Sequence, residues 1–552
     1  MIKKPRCSGP LGFFSFFAEK LKKMKYLLRI LFFIPLIIFL SINIGYSETK
    51  LFVKEYTYMA SDEDSKNSSR VIALREVKRL LLEELGTYLE SQTEVKNFQL
   101  TRDQITMFTA GIVQTEIIGE KWDGRVYWLK SKVTADPGKV AQSIDNLRKN
   151  REKSRELEAM KQRSDELMRE VERLRKELVS AKDGSRNSQK TAYDKSINQL
   201  SAAEWIEKGH AVSGPDDKFK GAREAYSRAI ELDPENIKAH YFRARISEKN
   251  QAMSDYYKLL TLSAKTSEDY LIRAWTYKEL KQRDQALQEF GKAIEKAPGG
   301  KEKATAYFNR GLYYILFRPM PYLKRPDRIP NALELSIRDF SSAIALDPTD
   351  PSYFHNRANS YLGLDKKDLA VEDFTAGIKL DPKNAGLFSG RGQTYQMMRK
   401  PEPAIADFSR ALELEGPDDL FAEHDLLLRA DLYEETGRFD LAIRDWNAII
   451  KRKPDDAYAY SSRADNYGKL GNYNQAIRDY SKSIELQSKG STAIIVYYGR
   501  ALAYAAKGNS LMSLQNLKEA IRLDPDFKAK ARNEKRFGAI RQHPDFVKLT
   551  GE

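Results

Sequence analysis

The feature that most constrains this chain is a set of offsets that recurs between about residues 200 and 527. A small residue is followed 12 positions later by a second, 4 beyond that by an aromatic, 3 further by a small residue, and 5 further by proline. Ala274, Ala286, Phe290, Ala293 and Pro298 obey it, as do Ala358, Ala370, Phe374, Gly377 and Pro382. Gly392, Ala404, Phe408 and Ala411 lack only the proline, and Ala464, Ala476, Tyr480 and Ser483 repeat the same subset. Ala430, Ala442, Trp446, Ile449 and Pro454 carry one larger residue. Further units centre on Gly209 with Tyr226 and Pro234, on Ala244 with a degenerate second half, on Gly311 with Phe340 and Pro348, and on Ala501 with Ala520 and Pro525, which makes nine. Small residues let two antiparallel helices approach closely, and the aromatic fills the gap between them. The proline is expected to start the next helix, where a missing N–H costs nothing. Such units bury their apolar faces only by stacking on one another, so the fold class is mainly α, an α-solenoid. Residues 528–552, with Phe537, Phe546 and Leu549, are expected to form a capping helix on the last unit.

These offsets resemble the tetratricopeptide repeat family over residues 200–527, about three fifths of the chain. The resemblance implies a superhelix that binds a protein or peptide without chemistry. Composition points the same way. The single cysteine is Cys7, and the five histidines, His210, His240, His355, His424 and His543, fall in different units. That leaves no metal-ligand spacing, and there is no phosphate loop, nucleophile elbow or HExxH pattern. We therefore expect no catalytic residue, metal or cofactor, and a scaffold or adaptor rather than an enzyme. A solenoid that binds or processes cell-wall glycan is the enzyme-class alternative, and it would need uncompensated carboxylates in its groove.

Arginine precedes the first small residue at Arg243, Arg273, Arg310, Arg357, Arg391, Arg429, Arg463 and Arg500. An acid precedes the aromatic at Glu289, Asp339, Asp373, Asp407, Asp445 and Asp479. The two series are expected to face each other as bidentate ion pairs between packed helices, a geometry that suits arginine and not lysine. Arg243 and Arg500 stand apart, because Leu259 and Asn516 occupy the acid position. Both are candidates to clamp a partner's carboxylate, although Asp255 would serve Arg243 if the degenerate helix is shifted by a turn. Asn309 and Asn356 are candidates to hydrogen-bond an extended peptide backbone. Gly311 and Phe340 are 29 apart instead of 16, so Arg318 to Asn331 are expected to form an excursion between the paired helices or to lengthen them, and Tyr322 is a candidate contact there.

Ahead of the repeats, Lys20, Lys22, Lys23, Lys25 and Arg29 precede an uncharged run from Ile30 to Tyr46, with Gly45 and Ser47 as small residues before Glu48. Residues 1–47 have the layout of a secretory signal or, uncleaved, of a membrane anchor, with Met24 an alternative start. Either places the rest outside the cytoplasm, in the periplasm or tethered to the inner membrane. Residues 1–47 hold eight Lys or Arg and one Glu, contributing +7 of the formal +15, and the remaining +8 is dispersed. Nucleic acid is therefore not an expected partner.

Residues 50–136 read as a small α+β domain, with a strand at 51–57, a helix at 70–89 and a hairpin turning at Asp123-Gly124. Through Arg70, Ala73, Glu76, Leu82, Gly86 and the run Val95 to Ile105 they resemble the N-terminal domain of the flagellar assembly T protein, which implies an envelope location and offers motility or envelope-complex assembly as an alternative role. Over 141–181, Leu157, Met160, Leu167, Val171, Leu174 and Leu178 share one heptad frame, with Ser164 as the polar exception. The segment is expected to be a spacer helix or a coiled coil that makes a homodimer, ended by a polar break at Asp183 to Gln189.

Overall fold

The computed structural model describes residues 49–551 apart from 92–94, 96–99, 111, 114, 150, 182, 213–218, 319–328, 416–419 and 487–491. The run 30–46 and Tyr322 thus lie outside the described residues. None of the described helices is long and apolar enough to cross a membrane. The chain is mainly α and divides into two units after Leu259.

The first unit opens with β1 (Lys50–Met59), α1 (Lys66–Ser91), α2 (Arg102–Ala110), β2 (Glu116–Trp122) and β3 (Val126–Ala135). The strands form an antiparallel sheet in the order β1-β3-β2, with Lys50 opposite Ala135 and Met59 opposite Val126. At the β2–β3 turn the Asp123 carboxylate accepts the N–H groups of Arg125 and Val126 at 2.9 and 2.7 Å, while Gly124 takes a φ of 103° that a side chain would resist. Strand alternation sends Phe52, Tyr58, Tyr127, Leu129 and Val133 to one buried face.

The helices α3 (Pro137–Lys149), α4 (Arg151–Val179) and α5 (Asp183–Val212) complete that core instead of standing apart from it. Val140, Ala141 and Ile144 pack with Phe52 and Val133. Leu167, Val171, Leu174 and Leu178 are buried with Tyr58, Tyr127 and Leu129 of the sheet and Tyr193, Ile197 and Leu200 of α5. The heptad positions from Leu167 to Leu178 therefore pack inside their own unit, because an apolar sheet in the same chain offers burial without the entropy of association. At the polar exception, Arg75 Nη1 donates to the Ser164 carbonyl at 3.1 Å and Nη2 to Asp165 at 2.6 Å. The break expected at Asp183 to Gln189 is already part of α5.

Helix pairs follow. In the first unit α5 packs on α6 (Lys220–Leu232), and α7 (Ile237–Arg245) precedes α8 (Lys249–Thr261), in which the division falls. The second unit stacks the hairpins α9 (Ser267–Glu279) with α10 (Arg283–Lys296), α11 (Gly300–Leu316) with α12 (Ala332–Leu346), α13 (Pro351–Gly363) with α14 (Lys367–Leu380), and α15 (Ala385–Met397) with α16 (Pro401–Leu414). It continues with α17 (Leu420–Glu435) on α18 (Phe439–Arg452), α19 (Ala457–Lys469) on α20 (Tyr473–Leu486), and α21 (Thr492–Ala506) on α22 (Ser510–Leu523).

The offsets act as expected inside each hairpin. Ala274, Ala358, Ala430 and Ala464 are fully buried, as are the facing rings of Phe290, Phe340, Phe374 and Phe408. A Cβ on Gly311 would stand 2.5 Å from the Phe340 ring. The prolines act differently from the expectation. Asp233, Asp347, Asp381 and Asp524 are helix C-caps, and Pro234, Pro348, Pro382 and Pro525 directly follow them. Each proline thus stops the second helix of its own unit, since it has no N–H with which to continue it. Helix starts are instead capped by side chains, as where Asn236 accepts from Ala239 N–H and Asp350 from Ser352 N–H.

The tail is three pieces in place of one helix: α23 (Phe527–Asn533), a 3-10 turn (Lys535–Ile540) and α24 (Pro544–Thr550). The breaks let Phe527, Phe537 and Phe546 all reach the cluster of Ala501, Leu502, Leu514 and Leu517, closing the end of the stack.

Candidate functional site

The arginine and acid series meet on helix pairs. Arg310 Nε and Nη2 both lie 2.7 Å from the Asp339 carboxylate. Arg357 reaches Asp373 at 2.8 and 2.7 Å, and Arg391 reaches Asp407 at 2.8 Å through both nitrogens. Arg429 holds Asp445 at 2.9 and 2.6 Å, and Arg463 holds Asp479 at 2.7 and 2.8 Å. In the variant with the longer acid, Arg273 Nε lies 2.9 Å from Glu289, which Lys292 also contacts at 2.8 Å.

All these acids are buried. Burial pulls the Arg429 and Arg463 guanidiniums down, and the hydrogen bonds to Asp445 and Asp479 more than restore them, so both stand above the usual arginine value. In Arg357 and Arg391 the hydrogen bonds themselves are the largest influence, with the same result. A buried pair of this kind is strongly destabilising to break, because the remaining charge is stranded.

The sequence reading missed a third partner. Arg357 Nη1 donates to Ser341 at 2.9 Å, Arg391 to Thr375 at 3.0 Å, Arg429 to Ser409 at 2.9 Å and Arg463 to Asn447 at 2.6 Å. Each guanidinium therefore ties its own hairpin to the second helix of the hairpin before it. The signal was present in the sequence. The partner is the residue directly after the preceding aromatic, and where Phe290 is followed by Gly291 there is no side chain to accept from Arg310.

The two exceptional arginines separate. Arg243 is not free, contrary to its candidacy as a clamp. Its Nε and Nη2 hold Asp255 at 2.9 and 2.6 Å, its Nη1 donates to Ser227 at 3.1 Å, and His240 Nδ1 lies 3.2 Å from the same carboxylate. Asp255 sits 12 residues on instead of 16, one turn early, which is the shift that the degenerate helix allows. Burial pushes its carboxyl up, but the bonds from His240 and Arg243 outweigh this and the group stands at about 2.

Arg500 has no such acid. Its Nε donates to Asn516 Oδ1 at 2.7 Å and its Nη1 to Ser481 at 3.0 Å, with the Tyr497 ring 5.5 Å away. Burial holds its guanidinium below the usual arginine value, and no carboxylate restores it.

The asparagines are partly engaged. Asn309 donates to the Thr305 carbonyl at 2.9 Å and accepts from Trp275 Nε1 at 2.9 Å, so both ends of its amide are used within the array. Asn356 returns its amide nitrogen to the Ser352 carbonyl at 2.8 Å. The histidines do not come together. His210 packs on Tyr226 and Phe242, His355 lies edge-on to Phe374, and His543 caps α24. No metal-ligand group exists among the described residues.

Successive first helices touch one another from α9 to α17 and again from α19 to α21. Polar bonds also join successive first helices: Trp275 to Asn309, Ser389 to Asp425 at 2.6 Å, and, between α17 and α19, Asn466 to Glu434 at 2.6 Å. Among the described ladder arginines of the second unit, Arg500 is the one that meets no carboxylate. Family models for the tetratricopeptide repeat match residues 270–300, 351–384, 427–465, 457–489 and 494–527. This is a tetratricopeptide repeat protein.

No curated protein matches the sequence. Among solved structures, the tetratricopeptide repeat chain is similar to YrrB, a protein described as having an unusual peptide-binding site, at 20% identity over 35% of this chain and 97% of that one, with a TM-score of 0.31. It is similar to a tetratricopeptide repeat protein of Parabacteroides merdae at 19% identity over 52% and 99%, with a TM-score of 0.31. It is also similar to PilW, a type IV pilus biogenesis factor, at 15% identity over 43% and 97%, with a TM-score of 0.30. The matched family segments begin at residue 270, and the resemblance of residues 50–136 to the flagellar assembly T protein is not shown.

Proposed function

We propose that this tetratricopeptide repeat protein is a non-catalytic scaffold of the cell envelope, and that its last hairpin receives a carboxylate of the partner. The scaffold role rests on the repeats, whose family binds proteins or peptides. Envelope placement rests on the basic residues and the uncharged run before Tyr46.

One observation carries the carboxylate: Arg463 meets Asp479 in the hairpin before, whereas Arg500 meets the neutral Asn516 in the same position. A half-buried guanidinium held by an amide and a hydroxyl keeps its full charge, and an incoming carboxylate supplies the bidentate bond that the fold withholds. The neighbouring Tyr497 ring restricts the guanidinium and lowers the ordering needed on binding.

The test is an array of acidic peptides, each with a free and an amidated C-terminus, probed with the wild-type chain and with Arg500→Gln. The proposal expects binders among carboxylate-rich peptides that Arg500→Gln loses while its helical circular dichroism stays unchanged. Equal binding by both chains would remove Arg500 from the site. Export is tested separately by fusing alkaline phosphatase after residue 552, where an inactive fusion would put the repeats in the cytoplasm.

A further inference from the structure

The sheet of the first unit has a second face. On β1 it carries Leu51, Val53, Glu55, Thr57 and Met59, the residues that alternate with buried Phe52 and Tyr58. Opposite them in register, β3 offers Thr134, Lys132, Lys130, Trp128 and Val126. On β2, Lys121 faces Trp128, Gly119 faces Lys130, and Ile118 stands in the bulge between Ile117 and Gly119. A Cβ on Gly119 would stand 3.1 Å from the Trp128 ring, so the indole reaches across to a position that a glycine leaves open.

A solvated face of an antiparallel sheet ordinarily reads polar. Here Leu51 and Met59 are 61% and 69% exposed, and Val53 and Ile118 are also exposed. Lysine, tryptophan and aliphatic side chains on one plane are the composition of a surface that meets lipid headgroups, where long basic side chains reach outward and indole sits at the boundary.

The chain itself says what lies against this face. The uncharged run ends at Tyr46, four residues before β1 begins at Lys50. Four residues span at most about 14 Å, so a bilayer that holds the run lies within reach of Leu51. The charges select the lipid. Lys121, Lys130 and Lys132 outnumber Glu55 and Glu116 on this face. The pairs Lys130–Glu55 at 3.7 Å and Lys132–Glu116 at 3.1 Å are open to solvent, where such pairs are weak, and the Lys121 ammonium has the Trp128 ring at 5.8 Å.

We propose that this face of the sheet rests on an anionic lipid surface. The proposal rests on the reading of residues 30–46 as an uncleaved anchor, and its test keeps the two apart. The full chain is reconstituted in nanodiscs of phosphatidylcholine with and without about a third phosphatidylglycerol, with brominated acyl chains as the quencher of tryptophan emission. The expected result is a quenched component that Trp128→Phe lacks and that grows with phosphatidylglycerol. Equal quenching in wild type and Trp128→Phe overturns the proposal.

If intact mass shows the chain cut before Glu48, the anchor reading fails, and the cut protein is added to vesicles of the same lipids. Sedimentation with the phosphatidylglycerol vesicles that the double variant Leu51→Glu, Met59→Glu loses supports the face, and failure of the cut protein to sediment overturns it. Both positions are highly exposed, so the variant leaves the core intact, which near-ultraviolet circular dichroism checks. A wild-type dimer that the same variant makes monomeric, without any lipid dependence, would assign the face to a second copy and overturn the proposal.

Discussion

Arg500 Nε lies 2.7 Å from Asn516 Oδ1, 16 residues on, at the spacing where Arg357, Arg391, Arg429 and Arg463 each meet an aspartate. The backbone there already fits a bidentate pair, so Asn516→Asp should supply the missing charge. It forfeits the bond from Asn516 Nδ2 to the Met512 carbonyl, and the net gain is about 1 kcal/mol. Urea unfolding should show the rise, and binding of acidic peptides should fall in the same variant. A more stable variant with unchanged peptide binding would leave Arg500 structural.

The hairpins were legible because one offset set encodes one contact: Ala274 and Phe290 close one pair of helices, and Gly311 and Phe340 do the same across a longer connection. The ladder was legible for the same reason, since a spacing of 16 aligned Arg391 with Asp407 in every unit of that form. What the sequence concealed was long-range. Leu167 and Val171 carry a heptad pattern that suits a partner helix equally well inside or outside the chain, and periodicity does not say that Tyr58 and Tyr193 will cover them. Arg243 misled for a local reason: Leu259 holds the expected place, and a one-turn shift brings Asp255 in. The prolines misled because a residue between two helices is readable as the start of one or the end of the other, and the capping bond from Asp347 N–H to the Ala343 carbonyl decides it.

Gly311→Ala should destabilise the second unit. A helix interior gains about 1 kcal/mol from the exchange, yet the new methyl would stand 2.5 Å from a fully buried Phe340 ring. Overpacking of this kind costs roughly 1–3 kcal/mol, so the net loss is about 1 kcal/mol. Gly392→Ala is the comparison, because its methyl would meet Phe408 at 3.1 Å and the ring needs to yield only slightly. Thermal unfolding should rank Gly311→Ala below Gly392→Ala, and the reverse order would mean that the helices part freely at the first site.

Arg399→Gly should stabilise the protein. Within the hairpins the short turn takes a left-handed residue, supplied as Gly437, Gly471 and Gly508 in three of them and as Lys281, Asp365 and Arg399 in three others. Arg399, at φ 55°, is exposed, so its removal relieves about 1–2 kcal/mol of backbone strain. The extra freedom of glycine in the unfolded chain takes back about half of that. Asp365→Gly should gain less, since aspartate tolerates this region and its carboxylate pairs with Lys367 at 2.5 Å. A lower melting temperature for Arg399→Gly would show that the side chain contributes more than the turn.

Asp255 makes the first unit sensitive to acid. Its carboxyl stands at about 2, below the ordinary 3.8, through its bonds to His240 and Arg243. The folded value lies below the unfolded one, so the contribution is complete above about pH 4 and disappears as the pH falls through about 2. A depression of this size corresponds to about 2 kcal/mol. Asp255→Asn removes the titrating group and strands Arg243, so the difference in unfolding free energy between wild type and variant should be largest near pH 6 and shrink toward pH 2. Denaturant titrations at pH 6, 4 and 2.5 measure the difference directly, and a gap that does not narrow would mean that Asp255 is held by packing and not by its charge.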